Sequence, residues 1–236
     1  MLQKLSHLQK AALVTADDKL GKAVDVLFER DTWTVRYLVV DTGPWLLGRK
    51  VPISTIAVSS VDWQHRKVET RLTRKQIKES PDIEPRKSIA RPQEIELFTH
   101  YGWPAYWPAG GFTAVPPSDP FQFAQPPTES TEAQLAEPPE YSEEDHLQSV
   151  SEALDCDLLA TDGKAGQLKD LLVDPETWQI KQLLVEATGE PETEHKHFRV
   201  LAVEQLPRPR WEEHHLRVDL PGESIHQAPF YDSSRT

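Results

Sequence analysis

The sequence contains a single cysteine, Cys156, among 236 residues. One thiol excludes an internal disulfide framework and any zinc site built from several thiolates. Asp155 and Asp157 flank this cysteine, and neighbouring negative charges oppose formation of the thiolate that a nucleophile requires. We therefore expect a structural thiol.

Other features are missing as well. There is no run of about 18 apolar residues, so no membrane-spanning helix is expected. The segment Met1–His7 lacks the apolar core of a signal peptide, and a cytoplasmic location is the expectation. The sequence has no glycine-rich phosphate loop, nucleophile elbow or metalloprotease motif. We expect no enzyme activity, no catalytic residue and no cofactor.

Histidines and carboxylates offer only weak candidates for chemistry. His195 and His197 would lie on one face of a strand and could ligate a metal, but no matching set of ligands accompanies them, so no metal site is expected. Asp25 and Asp170 recur within predicted strands. We expect each of them to hydrogen-bond a neighbouring turn.

The formal net charge of −12 is unevenly distributed. Residues 1–82 contain 14 Lys and Arg against 10 Asp and Glu, residues 83–147 contain 3 against 11, and residues 148–236 contain 9 against 17. An acidic chain disfavours binding to a phosphate backbone, so a nucleic-acid partner is not expected. The opposite signs permit electrostatic pairing between the parts, or between chains.

A segment near the N-terminus recurs later in the chain. Leu13–Thr42 aligns without gaps with Leu158–Ala187, at an offset of 145 residues. The identical positions are Leu13, Asp17, Lys19, Gly21, Asp25, Leu27, Thr32, Trp33, Leu38 and Val40, which recur as Leu158, Asp162, Lys164, Gly166, Asp170, Leu172, Thr177, Trp178, Leu183 and Val185. At an offset of 148, Trp63, Leu72, Ile77 and Pro81 match Trp211, Leu220, Ile225 and Pro229. This periodicity predicts two copies of one structural unit.

Each copy has the pattern of short β-strands that end in a helix. In the first copy the predicted strands are Gly21–Phe28, Thr34–Val40, Lys50–Ile53, Ala57–Trp63 and Lys67–Leu72, and Thr73 is the predicted N-cap of a helix Arg74–Glu79. Five or six strands from about 75 residues bury an adequate core only by curling closed. The predicted fold class is mainly β, with two small antiparallel β-barrels that each carry a short C-terminal helix.

Three stretches of the sequence resemble the PRC-barrel domain family. They are DDKLGKAVDVLFERDTWTVRYLVVDTG, GRKVPISTI and VETRLTRKQIKESP. The resemblance covers residues 5–82 well and residues 150–229 more loosely. The family includes the cytoplasmic part of the photosynthetic reaction-centre H subunit and the C-terminal half of a ribosome-maturation factor. These elements imply architecture, and with it a docking or stabilising role, more than they imply chemistry.

The two copies are joined by a proline-rich acidic linker. Twelve of the 20 prolines lie between Pro81 and Pro139, and the sequence predicts domains over residues 1–82, 83–147 and 148–236. Within the linker, residues 95–107 form an aromatic segment. It either folds back on its own barrel or bridges the two barrels, or it mediates association with a partner or with a second copy of the chain.

We predict a non-enzymatic protein-interaction or assembly module that binds a protein partner or self-associates. The alternatives are association with RNA or the ribosome, and a role like that of the reaction-centre H subunit. Two apolar groups are the candidate interaction residues. They are Trp45, Leu46 and Leu47 in a glycine-flanked loop, and Phe98, Tyr101, Trp103, Tyr106 and Trp107 in the aromatic segment.

Overall fold

The structure is a computed structural model that describes residues 1–83, 88–107, 146–189, 198–206, 209–212 and 214–232. These residues form two seven-stranded sheets and a few short helices. The strands are β1 Gln3–Lys4, β2 Ala12–Val14, β3 Lys19–Glu29, β4 Val35–Asp41, β5 Lys50–Ser54, β6 Val58–Asp62, β7 Lys67–Thr70, β8 Leu147–Ser149, β9 Asp157–Ala160, β10 Gly163–Val173, β11 Ile180–Ala187, β12 Arg199–Ala202, β13 Arg210–Glu212 and β14 His215–Arg217. The α-helices are α1 Arg74–Lys78, α2 Arg91–Tyr101, α3 Val150–Ala153 and α4 Gly222–His226.

The two sheets have the same strand order. The first follows β5-β4-β3-β2-β7-β6, and the second follows β12-β11-β10-β9-β14-β13. We call β2–β7 with α1 the first module and β9–β14 with α4 the second module. The correspondence extends to the helix, because α1 and α4 each follow the last strand of their module.

The sheets differ in two respects from the closed antiparallel barrels that we expected. Each has one parallel pair, β2 with β7 and β9 with β14. A parallel pair requires a long connection between its strands, and the strands that lie between β2 and β7, or between β9 and β14, provide one. Neither sheet closes on itself through its first and last strands. The edge strands are β5 and β6 in the first sheet, and β12 and β13 in the second.

The repeated glycine of each module allows two strands to approach closely. A Cβ atom at Gly21 would overlap the backbone of Asp41, and one at Gly166 would overlap the backbone of Glu186. No other amino acid fits at this crossing without moving the neighbouring strand.

The repeated tryptophans lie where the modules meet. Trp33 and Trp178 both have positive φ, at 56° and 60°. The carbonyl of Trp178 accepts a hydrogen bond from Val35 N at 2.8 Å, and that of Trp33 accepts one from Ile180 N at 2.8 Å. The rings also make contacts between the modules, since the ring centroids of Trp33 and Trp211 are 5.6 Å apart.

Each module takes one strand from the segment that precedes the other module. The strand β1 pairs with β10 in the second sheet, and β8 pairs with β3 in the first. Residues 3–4, which the sequence placed in the first domain, therefore complete the second sheet. The short helix α3 also contacts β3.

The repeated aspartates bind across the same boundary. The carboxylate of Asp25 accepts hydrogen bonds from Ser149 Oγ at 2.5 Å, Ser151 N at 3.0 Å and Ser151 Oγ at 2.8 Å. Asp170 accepts from Ser6 Oγ at 2.5 Å and Ser6 N at 3.2 Å. We expected a neighbouring turn as the partner of each aspartate. The structure shows serines that precede the other module instead.

Candidate functional site

The aromatic segment lies mostly in the helix α2 and in the turn that follows it. Phe98 is fully buried, and Tyr101, Trp103 and Trp107 are at least nine-tenths buried. Phe98 contacts Trp107 at 5.0 Å and Trp103 at 5.6 Å between ring centroids, while Tyr106 lies 4.9 Å from Trp107. Five of the eight candidate interaction residues thus contact one another within the hydrophobic core.

A buried carboxylate anchors this segment to the first module. Glu94 of α2 has no exposed surface, and its Oε1 accepts hydrogen bonds from the hydroxyls of Tyr37 and Tyr106, both at 2.7 Å. Its Oε2 lies 2.8 Å from Arg91 Nη1 and 2.8 Å from His146 Nε2. A buried carboxylate needs such partners because water no longer solvates its charge.

The tyrosines of this cluster remain protonated donors. Burial, followed by the negative charge of Glu94, raises the pKa of Tyr37 well above its usual value. The same two causes raise the pKa of Tyr106. Burial also raises the pKa of Tyr101 to about 12. The cluster is therefore a stabilising network, in which the phenols donate and the carboxylate accepts.

The other three candidate residues lie in the loop between β4 and β5. Trp45 Nε1 donates a hydrogen bond to Leu20 O at 2.6 Å, and Arg74 Cζ lies 4.3 Å from the centre of the indole ring. Leu46 packs partly against the core. Leu47 is 98% exposed, with a φ of 54°. A leucine in this left-handed conformation is strained by its Cβ atom and gains nothing from burial.

A cleft of about 970 Å³ opens beside this loop on the outer face of the first module. Apolar atoms dominate its surface, and Ala12, Val14, Val24 and Trp45 are among the residues that line it. The residues come from β2, β3, the loop after β4, the β6–β7 turn and the start of α1. The cleft thus joins an outward-facing part of the sheet to the loop that carries Leu47.

Positive charge dominates the rim of the cleft. The lining includes the cations Lys10, Lys19, Lys22, Lys67 and Arg74, against two carboxylates, Asp18 and Asp41. Both carboxylates are already engaged: Asp18 pairs with Arg74, and Asp41 accepts a hydrogen bond from Gly43 N at 2.8 Å. Lys67 pairs with Glu69 at 2.7 Å.

Three of these cations form no ion pair within the part of the chain that the structure describes. Lys10, Lys19 and Lys22 are exposed, and none of them forms an ion pair with another residue of the described chain. They surround apolar surface in a protein whose net charge is −12. An anionic group placed here would meet uncompensated positive charge.

An Asp–His pair also lies at the edge of the cleft. His65 Nδ1 is 2.8 Å from Asp62 Oδ2, and hydrogen bonds from the backbone and then the ring of His65 lower the pKa of Asp62. Such a pair promotes nucleophilic catalysis when a hydroxyl or thiol reaches the histidine. Within the residues that the structure describes, Asp62 is the only hydrogen-bond partner of the His65 ring.

The remaining chemical candidates lie elsewhere. Cys156 is buried, and burial, followed by the charge of Asp157, raises the pKa of its thiol to about 12. His195 and His197 lie outside the described residues. In the described part of the chain, no three His, Cys, Asp or Glu residues are grouped as metal ligands would be.

The repeated glycine, the paired hairpins and the short helix after the last strand all lie in one continuous segment. Residues 4–77 of this segment match the family model of the PRC-barrel domain. The first module is a PRC-barrel domain. The matched segment contains every residue of the cleft lining and the loop that carries Leu47.

No curated protein matches the chain. Among the described residues, no helix is both long enough and apolar enough to cross a membrane. The PRC-barrel match therefore identifies the architecture of the first module, and its surface must indicate the function.

Sequence reasoning missed two sets of residues. The cluster of Glu94 with Tyr37, Arg91 and His146 draws on three distant segments, and nothing in the sequence pattern connects them. The cations of the cleft are equally scattered along the chain. The excess of Lys and Arg in residues 1–82 was the one signal that indicated a basic face.

Proposed function

We propose that this protein is a non-enzymatic interaction module, and that the PRC-barrel domain docks an acidic polypeptide segment with apolar side chains. The cleft with its unpaired lysines carries this proposal. Its apolar floor suits aliphatic or aromatic side chains, and the lysines at its rim suit carboxylates. The exposed Leu47 beside it supplies an apolar contact that the folded chain leaves unused.

The chemistry of the cleft supports binding over catalysis. General acid–base and nucleophilic catalysis need titratable groups that converge in a site sheltered from water. The aspartate–histidine pair at the edge of the cleft is exposed, with side-chain exposures of 47% for Asp62 and 73% for His65. Of the two carboxylates within the lining, Asp18 pairs with Arg74 and Asp41 accepts a hydrogen bond from a backbone amide. These contacts give both carboxylates a structural role.

A second module that resembles the first extends the proposal. It has the same strand order and the same repeated glycine, aspartate and tryptophan. We infer that it is a second PRC-type unit. Its role in the proposed function is to support the first module, which carries the docking surface.

The test is a binding titration of the full chain. The probe is a labelled peptide of about 12 residues in which glutamate alternates with leucine, so that the leucines share one face of an extended chain. Fluorescence anisotropy would measure the dissociation constant at low and at near-physiological salt. We expect saturable binding that weakens as salt screens the lysines.

Two matched charge reversals locate the binding site. Lys10→Glu with Lys22→Glu changes the cleft and is expected to weaken binding roughly tenfold. Lys50→Glu with Lys78→Glu makes the same change in charge outside the cleft lining, and binding is expected to stay within about twofold. Equal loss in both variants would mean that net charge alone attracts the peptide, and the proposed site would be wrong.

Association with RNA is the second candidate, because the same lysines would attract phosphates. Several other cations of this module are already occupied. Arg49 binds Ser80 O at 3.1 Å and Asp82 at 2.9 Å, and Arg74 pairs with Asp18. Titration with a single-stranded RNA oligonucleotide separates the two functions. Tighter, salt-dependent binding of RNA than of the acidic peptide would favour the RNA function.

A further inference from the structure

The two modules contact each other as the halves of a two-fold dimer do. In β1, Lys4 pairs with Leu172, and in β8, Ser149 pairs with Leu27. These two pairs exchange under the 145-residue offset of the repeat. The hydrogen bonds Val35 N to Trp178 O and Ile180 N to Trp33 O, both 2.8 Å, exchange in the same way. The interface is thus isologous, although one chain forms both of its sides.

Each module has a buried aspartate whose hydrogen-bond donors lie across the interface between the modules. Asp25 and Asp170 are 8% and 6% exposed. Their cross-boundary partners are Ser149 with Ser151, and Ser6. A module that separated from its partner would lose these donors from a largely buried carboxylate, which is unfavourable. These hydrogen bonds therefore stabilise the contact between the two modules.

A single linker connects the first module to the second. Residues 1–107 contain the first module, residues 146–236 contain the second, and residues 108–145 link them. The residues on either side of this link lie close together, since Tyr106 Oη and His146 Nε2 both contact Glu94, at 2.7 and 2.8 Å. Thirty-eight residues can span at most about 130 Å, which is enough to reach a second copy.

We propose that two copies of this chain exchange their second modules. In the exchanged dimer, β8 and α3 of each copy pack on β3 of the other copy, while β1 of each copy pairs with the other copy's β10. Every contact that the structure describes between the two modules is kept, and residues 108–145 then connect modules that belong to different pairs. This proposal is independent of the docking function of the cleft.

Concentration decides between the single chain and the exchanged dimer. The single chain and the exchanged dimer share the same contacts between modules. The equilibrium between them therefore depends on two concentrations: that of the first module of the same chain around a second module, and that of first modules from other copies. A tether of this length gives an effective concentration on the order of 1 mM. Exchange is expected as the protein concentration approaches that value, or after refolding from denaturant at high concentration.

The test uses the full chain with a specific protease site inserted within residues 108–145. Protein refolded at high concentration is separated by size-exclusion chromatography with light scattering. We expect a dimer peak that converts to the mass of one chain once the protease cuts the linker. An exchanged dimer behaves in this way because cutting both linkers releases two separate two-module units.

Three outcomes would overturn the proposal. The first is the absence of a dimer after refolding at about 1 mM. The second is a dimer that keeps its mass after cutting, which would place the association on another surface. The third is a cut single chain whose halves separate at once, because the interface would then be too weak to hold an exchanged dimer.

A serine variant and its control connect the result to this interface. Ser151 gives Asp25 two donors, its backbone amide and its hydroxyl, and Ser151→Ala removes only the hydroxyl. We expect the halves of the cut variant to separate at a concentration up to roughly tenfold higher than those of the parent protein. Ser60→Ala removes a hydroxyl that bonds Glu69 within the first sheet, and the separation should stay within about twofold.

Discussion

The two modules share a strand order but differ in the face that they present to solvent. Four positions of the basic face change sign or lose charge in the second module: Lys10, Lys22, Lys67 and Arg74 correspond to Asp155, Gln167, His215 and Gly222. The backbone is kept, since Lys10 and Asp155 both have positive φ, at 66° and 65°. The shared core therefore maintains the scaffold, while the surface is free to differ.

The lysines of the second module that the structure describes form ion pairs with acidic residues. Lys164 pairs with Asp157 at 2.6 Å, and Lys169 pairs with Asp155 at 2.7 Å. In the first module, Lys10, Lys19 and Lys22 have no such partner within the described residues. This contrast limits the proposed docking surface to the first module.

The modules also differ in how they are covered. Tyr37 of β4 is fully buried beneath α2, where its hydroxyl binds Glu94. The corresponding residue of β11, Gln182, is only partly buried. The first module thus depends on the aromatic segment for part of its core.

The largest expected effect tests this dependence. Glu94→Ala would remove the acceptor of two tyrosine hydroxyls and the partner of Arg91 in a buried site. Breaking a buried ion pair costs about 3–5 kcal/mol of the free energy of unfolding. Urea unfolding, followed by tryptophan fluorescence, measures the change.

Glu96→Ala is the matched control for that substitution. Glu96 lies on the same helix but is exposed, so its removal is expected to change the free energy of unfolding by less than about 0.5 kcal/mol. Similar values for the two variants would show that the Glu94 cluster does not hold the aromatic segment on the first module.

A second, smaller loss of stability is expected when the aspartate on either side of the interface between the modules is replaced. Asp25 accepts three hydrogen bonds from the segment before the second module, and Asp170 accepts two from Ser6. We expect Asp25→Ala to lower the free energy of unfolding by about 3 kcal/mol and Asp170→Ala by about 2 kcal/mol. Differential scanning calorimetry of both variants measures this order. A larger loss from Asp170→Ala would contradict the comparison.

Much of the fold could be predicted because its signals are local. The hairpin strands β3 and β4 match the predicted Gly21–Phe28 and Thr34–Val40, and Thr73 caps α1 with its side chain as expected. Alternation, turn residues and caps act over a few positions, which a single sequence displays directly.

The features that were missed depend on distant residues. The strands β1 and β8 have two and three residues, which is too short for a periodic pattern, and each pairs with a strand more than 100 residues away. The helix α2 escaped prediction because it buries Arg91 and Glu94 alongside its aromatics, so it lacks the usual separation of polar and apolar faces.

The site was predicted only in part, for the same reason. Two flanking glycines marked the loop of Trp45, Leu46 and Leu47 as a candidate, and the structure places Trp45 in the lining of the cleft. The cations of the rim come from separate strands and a helix. Their grouping exists only after folding brings those elements together.

The smallest expected effect concerns Leu47, where stability and binding are predicted to respond differently. Leu47→Ala keeps a Cβ atom in the left-handed conformation, whereas Leu47→Gly removes that strain. We expect the glycine variant to be more stable than the alanine variant by at most about 1 kcal/mol. Both should bind the acidic peptide more weakly than the parent chain, by a few-fold.

Thermal melts and anisotropy titrations on the same protein samples separate the two effects. If Leu47, which is exposed, served only the stability of the folded chain, the alanine variant would lose stability and keep its binding. Weaker binding by both variants, with no loss of stability in the glycine variant, would show that the exposed leucine serves a partner. Unchanged binding in both would remove Leu47 from the docking surface, which would then consist of the lysine-rimmed cleft alone.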